Sequence, residues 1–231
     1  MSEAQAQAKR AAALEAVGLV RSGMVLGLGT GSTARLAVEE IGRRLAGGGL
    51  CDIVAVPTSV ATREQASAAG IPLTTLEQHP ALDLTIDGAD EVDPDGDMIK
   101  GHGGALLWEK IVATATRHLV IVVDPSKLVE RLGTTRALPV EVVPFGWGTH
   151  EAAIRALGAR PVLRRAGPVG SPVATDEGHY IIDCTFEGGI ADPPGVDQAL
   201  TRRPGVVETG LFLGFRPTVI VGKREAGSEE P

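Results

Sequence analysis

Over its first 123 residues the chain alternates four times between a stretch of helical periodicity and a short apolar run, and this alternation restricts the fold more than any other feature. Residues 4–20 keep their apolar positions at helical spacing until Ser22-Gly23, and "MVLGLG" (24–29) then reads as a buried strand. A second helix is expected from Ser32 to Leu45, stopped by Gly47-Gly48-Gly49, followed by the strand "DIVAVP" (52–57). The pattern continues with a helix over 59–69, a strand over 83–86, a helix over 105–115 and a strand over 118–123. Alternation at these lengths implies an α/β fold, a mostly parallel sheet wrapped by helices, because a crossover helix returns the chain to start a parallel neighbour.

After Lys127 the texture changes. "LPVEVVPFG", a helix-like "THEAAIRALG", "RPVLRR", "HYIIDCTF", a weak helix near Asp197 and "GVVETGLF" follow in the order βαββαβ, which suggests a smaller α+β domain of ferredoxin-like type. "PTVIVG" (217–222) reads as a lone strand returning to the large sheet. The expected division is therefore an α/β catalytic domain, residues 1–130 plus 213–231, and a small domain, 131–212. The polar tail "KREAGSEEP" is expected to fray.

Composition narrows the function classes. In 231 residues with a net charge of -7, no basic face announces nucleic acid, and no apolar run approaches the ~20 residues that cross a bilayer. Cys51 and Cys184 stand alone, without a CxxC and without a secretory leader ahead of "MSEAQAQAKRAAALEA", which fits a reducing cytoplasm. An anionic ligand must be met by local groups.

"GLGTGSTA" (27–34) leaves a strand and opens a helix, so its backbone N–H groups favour an anion, with hydroxyls of Thr30, Ser32 and Thr33 beside Gly31. The same residues satisfy GxGxxA through Gly29, Gly31 and Ala34. A dinucleotide site also wants an acidic residue at the end of the second strand, and here that strand ends in Pro57-Thr58-Ser59. No GK[ST] follows, which removes the P-loop. Phosphate binding is the reading to carry forward; the plainer one is a tight turn with Ser32 as helix cap.

"TIDGADEVDPDGDMIKGHGG" (85–104) crowds six carboxylates and then turns to lysine and glycine. Asp93, Asp95 and Asp97 resemble the start of a calcium loop, but Pro94, a glycine two places early and a missing glutamate break that register, so a polar turn is expected. Asp87 and Asp90 differ, because they follow the apolar run "LDLTI" at the carboxyl end of a parallel strand, where open α/β sheets place ligands. Gly88 between them permits close backbone approach, and Ala89 beside it is counted with the expected substrate-binding residues. Lys100, the turn Gly101-His102-Gly103 and a helix with Glu109 in its first turns complete the set. A phosphate cradle, two carboxylates, a lysine and a glutamate are the parts needed to move a proton beside the carbonyl of a sugar phosphate, with no metal and no cofactor required.

The blocks "GLGTGSTA", "TIDGADEVD", "KGHGGALLWEKIVA", "VVDPSK", "LPVEVVPFG" and "PGVVETGLF", in that order, resemble the ribose-5-phosphate isomerases of type A over nearly the whole chain. The resemblance implies a Rossmann-like domain with a ferredoxin-like one, and interconversion of ribose 5-phosphate and ribulose 5-phosphate through an enediolate, without cofactor. It implies Glu109 as proton acceptor, Asp87 and Asp90 as the acidic pair at the sugar oxygens, and Lys100 as their cationic partner. Thr30 to Thr33 match the phosphate loop, Lys100 to Gly103 the loop over the reacting end, and Lys127 a substrate-binding lysine. Lys9 falls where the family often has a basic residue reaching the phosphate. A homodimer or homotetramer is also implied.

Two positions depart from the family pattern. His102 interrupts an expected glycine run, and is expected to point to solvent unless its backbone needs a glycine conformation. Trp108 stands where a basic residue is usual, and is expected at the helix surface or a subunit contact. His79, His118, His150 and His179 show no metal-ligand spacing. The alternatives are a non-catalytic sugar-phosphate-sensing domain, against which Glu109, Asp87 and Asp90 argue, and an amino-sugar phosphate isomerase, against which the second half of the chain argues.

Overall fold

The computed structural model describes residues 3–167 and 170–222. In chain order the elements are helix α1 (Glu3–Val17), strand β1 (Val25–Leu28), α2 (Ala34–Ala46), β2 (Val54–Pro57), α3 (Val60–Ala68) and β3 (Leu84–Asp87). Two short strands, β4 (Glu91–Val92) and β5 (Met98–Ile99), precede α4 (Leu106–Thr114) and β6 (Leu119–Val123). Then come β7 (Leu138–Val142), α5 (Glu151–Ala156), β8 (Ala159–Leu163), β9 (Tyr180–Phe186), α6 (Pro193–Thr201), β10 (Val206–Thr209), β11 (Leu211–Phe212) and β12 (Thr218–Val221).

By its contacts the chain divides into two units. The first holds the described residues up to Ala89, Ile111–Lys127 and the described residues from Pro217; the second holds Asp90–Lys110 and Leu128–Arg216.

The first unit is built on a wholly parallel sheet in the order β12-β6-β3-β1-β2. Every residue of β3 and β6 is buried, as expected of strands covered on both faces. On one face Leu26, Leu28, Ile86, Val120 and Val122 pack with Ala12, Ala13 and Ala16 of α1 and Ala37, Val38 and Ile41 of α2. The small side chains of α1 let its backbone come close to the sheet. On the other face Val56, Leu82 and Val112 form a smaller cluster. The strand "PTVIVG" returns to this sheet as β12, paired with β6 from Thr218↔Val120 to Val221↔Val123. Strand β2 lies on one side of β1 and β3 on the other, so the chain order reverses at β1, and the carboxyl ends of β1 and β3 flank the place where such sheets bind ligands.

The second unit carries an antiparallel sheet in the order β10-β7-β9-β8, the βαββαβ arrangement expected, with α5 and α6 packed on one face. Strand alternation decides the faces: Ile182, Cys184 and Phe186 join Leu138, Val140, Val142, Ile154 and Leu200 in the apolar cluster, while Asp183 and Glu141 are outside it. A three-stranded antiparallel sheet, β11-β5-β4, completes the unit. Here the structure departs from the expected division. Residues 90–110 group with the second unit because β5 pairs with β11, Leu211↔Ile99 and Phe212↔Met98, and Lys100 N donates to Gly210 O at 2.9 Å. The turn joining β4 to β5 is the polar one anticipated: Asp93 Oδ1 accepts from the amides of Asp95 and Asp97 at 3.0 and 2.9 Å. The tail over 223–231 lies outside the described residues.

Candidate active site

In the first unit the phosphate-type loop leaves β1 beside the end of β3. Gly29 N donates to Ile86 O at 2.9 Å, and a Cβ at Gly29 would stand 2.1 Å from Asp87 Oδ1, so only glycine passes here. Asp87 is 2% exposed, and its Oδ1 accepts from Thr30 N at 3.1 Å and Gly88 N at 2.7 Å. The carboxylate is thus held in one orientation by the loop it adjoins.

Sequence reasoning missed what stands under that loop. Thr30 Oγ1 donates to Ser59 Oγ at 2.9 Å and lies 2.9 Å from Thr58 Oγ1. Ser59 Oγ accepts from Thr62 N, capping α3, and donates to Thr62 Oγ1, which donates to Gly29 O at 3.1 Å. Thr58 and Ser59, in the stretch that lacks a ribose-binding acid, brace the loop. Lys9 on α1 reaches it too, donating to Ser32 Oγ at 2.9 Å. Thr33 heads α2 without a side-chain cap bond. Lys127 ends the 3-10 turn that follows β6, a turn fixed by buried Asp124, whose Oδ1 accepts from Ser126 N at 3.0 Å.

In the second unit Asp90, Lys100, the glycine turn and Glu109 come together. Asp90 N donates to Ile99 O at 2.8 Å, and Asp90 Oδ2 accepts from His102 N at 3.0 Å, so the carboxylate ties the β4 side of the hairpin to the turn. Gly101 has φ +101, and a Cβ there would meet the Leu106 side chain at 2.8 Å; the turn closes with Gly104 N donating to Gly101 O at 3.0 Å. Gly103 lies inside that turn. The Lys100 ammonium and Glu109 Oε2 stand 3.3 Å apart with both residues buried, and Phe212 offers its ring face to Lys100 at 5.5 Å and to Lys110 at 5.0 Å. Lys110 is anchored on Glu208 Oε1 at 2.7 Å and Thr209 O at 2.9 Å.

His102 corrects an expectation. It does not need a glycine backbone, since Asp52 and Arg216 are the positive-φ non-glycine positions among the described residues, and it does not point to solvent. Its Nε2 donates to Ala137 O at 3.0 Å in a partly buried bond, so the imidazole staples the turn to the start of β7. Trp108 lies at the helix surface, half-buried, donating from Nε1 to Glu177 Oε1 at 2.8 Å. Arg164, which no motif marked, binds the same turn from the small sheet, donating to Gly101 O and His102 O, and is itself held by Asp183.

A buried carboxylate beside a buried ammonium suits proton abstraction next to a carbonyl: the carboxylate takes the proton and the ammonium faces the oxygen that gains charge. Among the described residues, no group of three or more His, Cys, Asp or Glu side chains is placed to hold a metal ion, and no helix is long and apolar enough to cross a membrane.

Known proteins resemble this chain over nearly all of it. The profile of the family described as ribose 5-phosphate isomerase A (phosphoriboisomerase A) matches residues 54–226. A probable ribose-5-phosphate isomerase 2 of Arabidopsis thaliana is 49% identical, over 96% of this chain and 85% of its own. A ribose-5-phosphate isomerase A of Synechococcus sp. (strain JA-3-3Ab) is 51% identical over 94% of each. The solved structure of a D-ribose-5-phosphate isomerase in complex with phospho-erythronic acid superposes with a TM-score of 0.92, at 39% identity and 97% coverage of both chains.

Proposed function

Because the chain belongs to the ribose 5-phosphate isomerase A family, we propose that Glu109 is the base that moves a carbon-bound proton of an open-chain pentose 5-phosphate. The reaction is the interconversion of D-ribose 5-phosphate and D-ribulose 5-phosphate in the pentose phosphate pathway. In the aldose-to-ketose direction Glu109 takes the proton from C2, the C2–H electron pair forms the C1–C2 double bond, and the carbonyl oxygen gains the charge of an enediolate. Glu109 returns the proton to C1 while a hydroxyl proton passes from O2 to O1, so atoms and charge balance. Lys100 offsets the charge on oxygen, and Asp87 and Asp90 exchange the hydroxyl protons. Gly31, Ser32 and Thr33, with Lys9 and Lys127, take the phosphate.

The observation that carries this reading is the buried Lys100–Glu109 pair at 3.3 Å. Initial rates in excess chelator, for the native chain beside Glu109→Gln, test it. The native rate is expected to survive chelation and the variant to lose roughly 10²-fold or more in kcat. Near-native turnover by Glu109→Gln sinks the assignment.

Two finer statements belong to the same proposal. The chain works as a homodimer or homotetramer; Phe145, 95% exposed, and Val162 on the edge strand β8, 47% exposed, favour burial against a second copy. Light scattering at micromolar concentration checks it, and a monomer overturns it. The unpaired thiols Cys51 and Cys184 favour the cytoplasm.

A further inference from the structure

We propose that Arg164 is a positioning residue for proton transfer, a clamp that sets the peptides of the turn after Lys100; the inference rests on the isomerase reading above.

Arg164 directly follows β8, and its backbone N–H donates to Ile181 O on β9 at 2.8 Å, which fixes its place on the sheet. On the face opposite the apolar cluster, its Nε and Nη2 donate to Asp183 Oδ2 and Oδ1 at 2.9 and 2.5 Å, the two-pronged pairing a planar guanidinium allows. The side chains of Arg164 and Asp183 are 15% and 25% exposed. That pairing leaves Nη1 aimed at the catalytic turn, where it donates to Gly101 O and His102 O, both at 3.1 Å.

Two successive peptides are gripped as a result. In the first, the Gly101 carbonyl is held by Arg164 and the His102 N–H by Asp90 Oδ2, so the peptide plane is fixed from both ends. In the second, Arg164 holds the His102 carbonyl, and because a peptide is planar this also aims the Gly103 N–H. A donor on the carbonyl polarises the peptide and strengthens its N–H as a hydrogen-bond donor toward an oxyanion. Ion pairing alone gives Arg164 little reason to be here, since such pairs are weak contributors to stability. Lysine cannot replace it, because a point ammonium does not span a carboxylate and two carbonyls in one plane.

The test compares native protein with Arg164→Gln, Arg164→Lys and Asp183→Asn by isomerisation kinetics and by amide hydrogen exchange over residues 100–104. The clamp predicts a kcat loss on the order of 10- to 100-fold with KM changed by less than about threefold, no recovery in Arg164→Lys, and faster exchange in the turn for all three variants. Native kcat together with native exchange overturns it, as does a loss confined to KM. If the native protein itself does not isomerise ribose 5-phosphate, the functional reading fails, and the exchange comparison alone decides the clamp. Asp183→Asn keeps the size and shape of the carboxylate, so it reports on the clamp even if the Arg164 variants fold poorly.

Discussion

The ammonium of Lys100 lies 3.3 Å from the carboxylate of Glu109, with both residues more than nine-tenths buried. Two different routes deliver these groups. Lys100 ends a hairpin paired to β11, and Glu109 rides the first full turn of α4, its amide bonded to Ala105 O at 3.0 Å. Opposite charges taken out of water together attract each other more strongly than they do in water, so the fold sets a carboxylate beside an ammonium at one place.

Removing one member of the pair is expected to cost more than removing both. Lys100→Met leaves a buried carboxylate without its cation and is expected to lose about 3–5 kcal/mol of stability, along with most activity. The double variant Lys100→Met/Glu109→Gln is expected to regain much of that stability while remaining inactive. Urea titrations of the two single variants and the double one read the coupling directly; additive losses would contradict it.

Lys9 donates to Ser32 Oγ at 2.9 Å, and in the proposed reading it takes the phosphate without a part in the proton transfer. Lys9→Met is expected to raise KM for ribose 5-phosphate roughly tenfold, as for a lost charge-assisted hydrogen bond, with kcat nearly unchanged. The difference between the two proteins should shrink as salt rises. A fall in kcat at constant KM would place Lys9 elsewhere.

His150 is 2% exposed, and its Nδ1 faces Arg203 Nε at 3.5 Å. Burial, and then the Arg203 guanidinium, hold the imidazole below its ordinary value of 6.5. The folded chain therefore keeps this histidine neutral where the unfolded chain has begun to protonate it. Its contribution to stability is complete above about pH 6.5 and declines as pH falls through 6.5 toward the folded value. His150→Gln is expected to flatten the drop in urea midpoint between pH 7.5 and 5.5; an equal drop in both proteins refutes the assignment.

Much of the site was legible because its signals are local. Asp87 follows an apolar run that can only be a buried strand, and Gly29 and Gly31 break another such run where a helix must start. The "LPVEV" to "GVVET" half showed its βαββαβ order through turn residues and period alone. What stayed hidden is non-local. The grouping of residues 90–110 with the second unit depends on strands of two residues each, β4, β5 and β11, too short to show any period. His102, read by its position in a glycine run, takes its role from Ala137 O, 35 residues on.

By itself the sequence determined the parallel sheet, the small α+β unit, the anion-seeking loop and the residue types that can move a proton, since hydrophobic period, turn chemistry and charge are properties of neighbours along the chain. Only the tertiary structure decided that Arg164, just past β8, would pair with Asp183 on β9, 19 positions on, and grip the Gly101 and His102 carbonyls, and that Thr58, Ser59 and Thr62 would brace Thr30. The physical reason is that strand register and side-chain direction choose partners among residues tens of positions away, and no local preference of the chain encodes which of them will arrive.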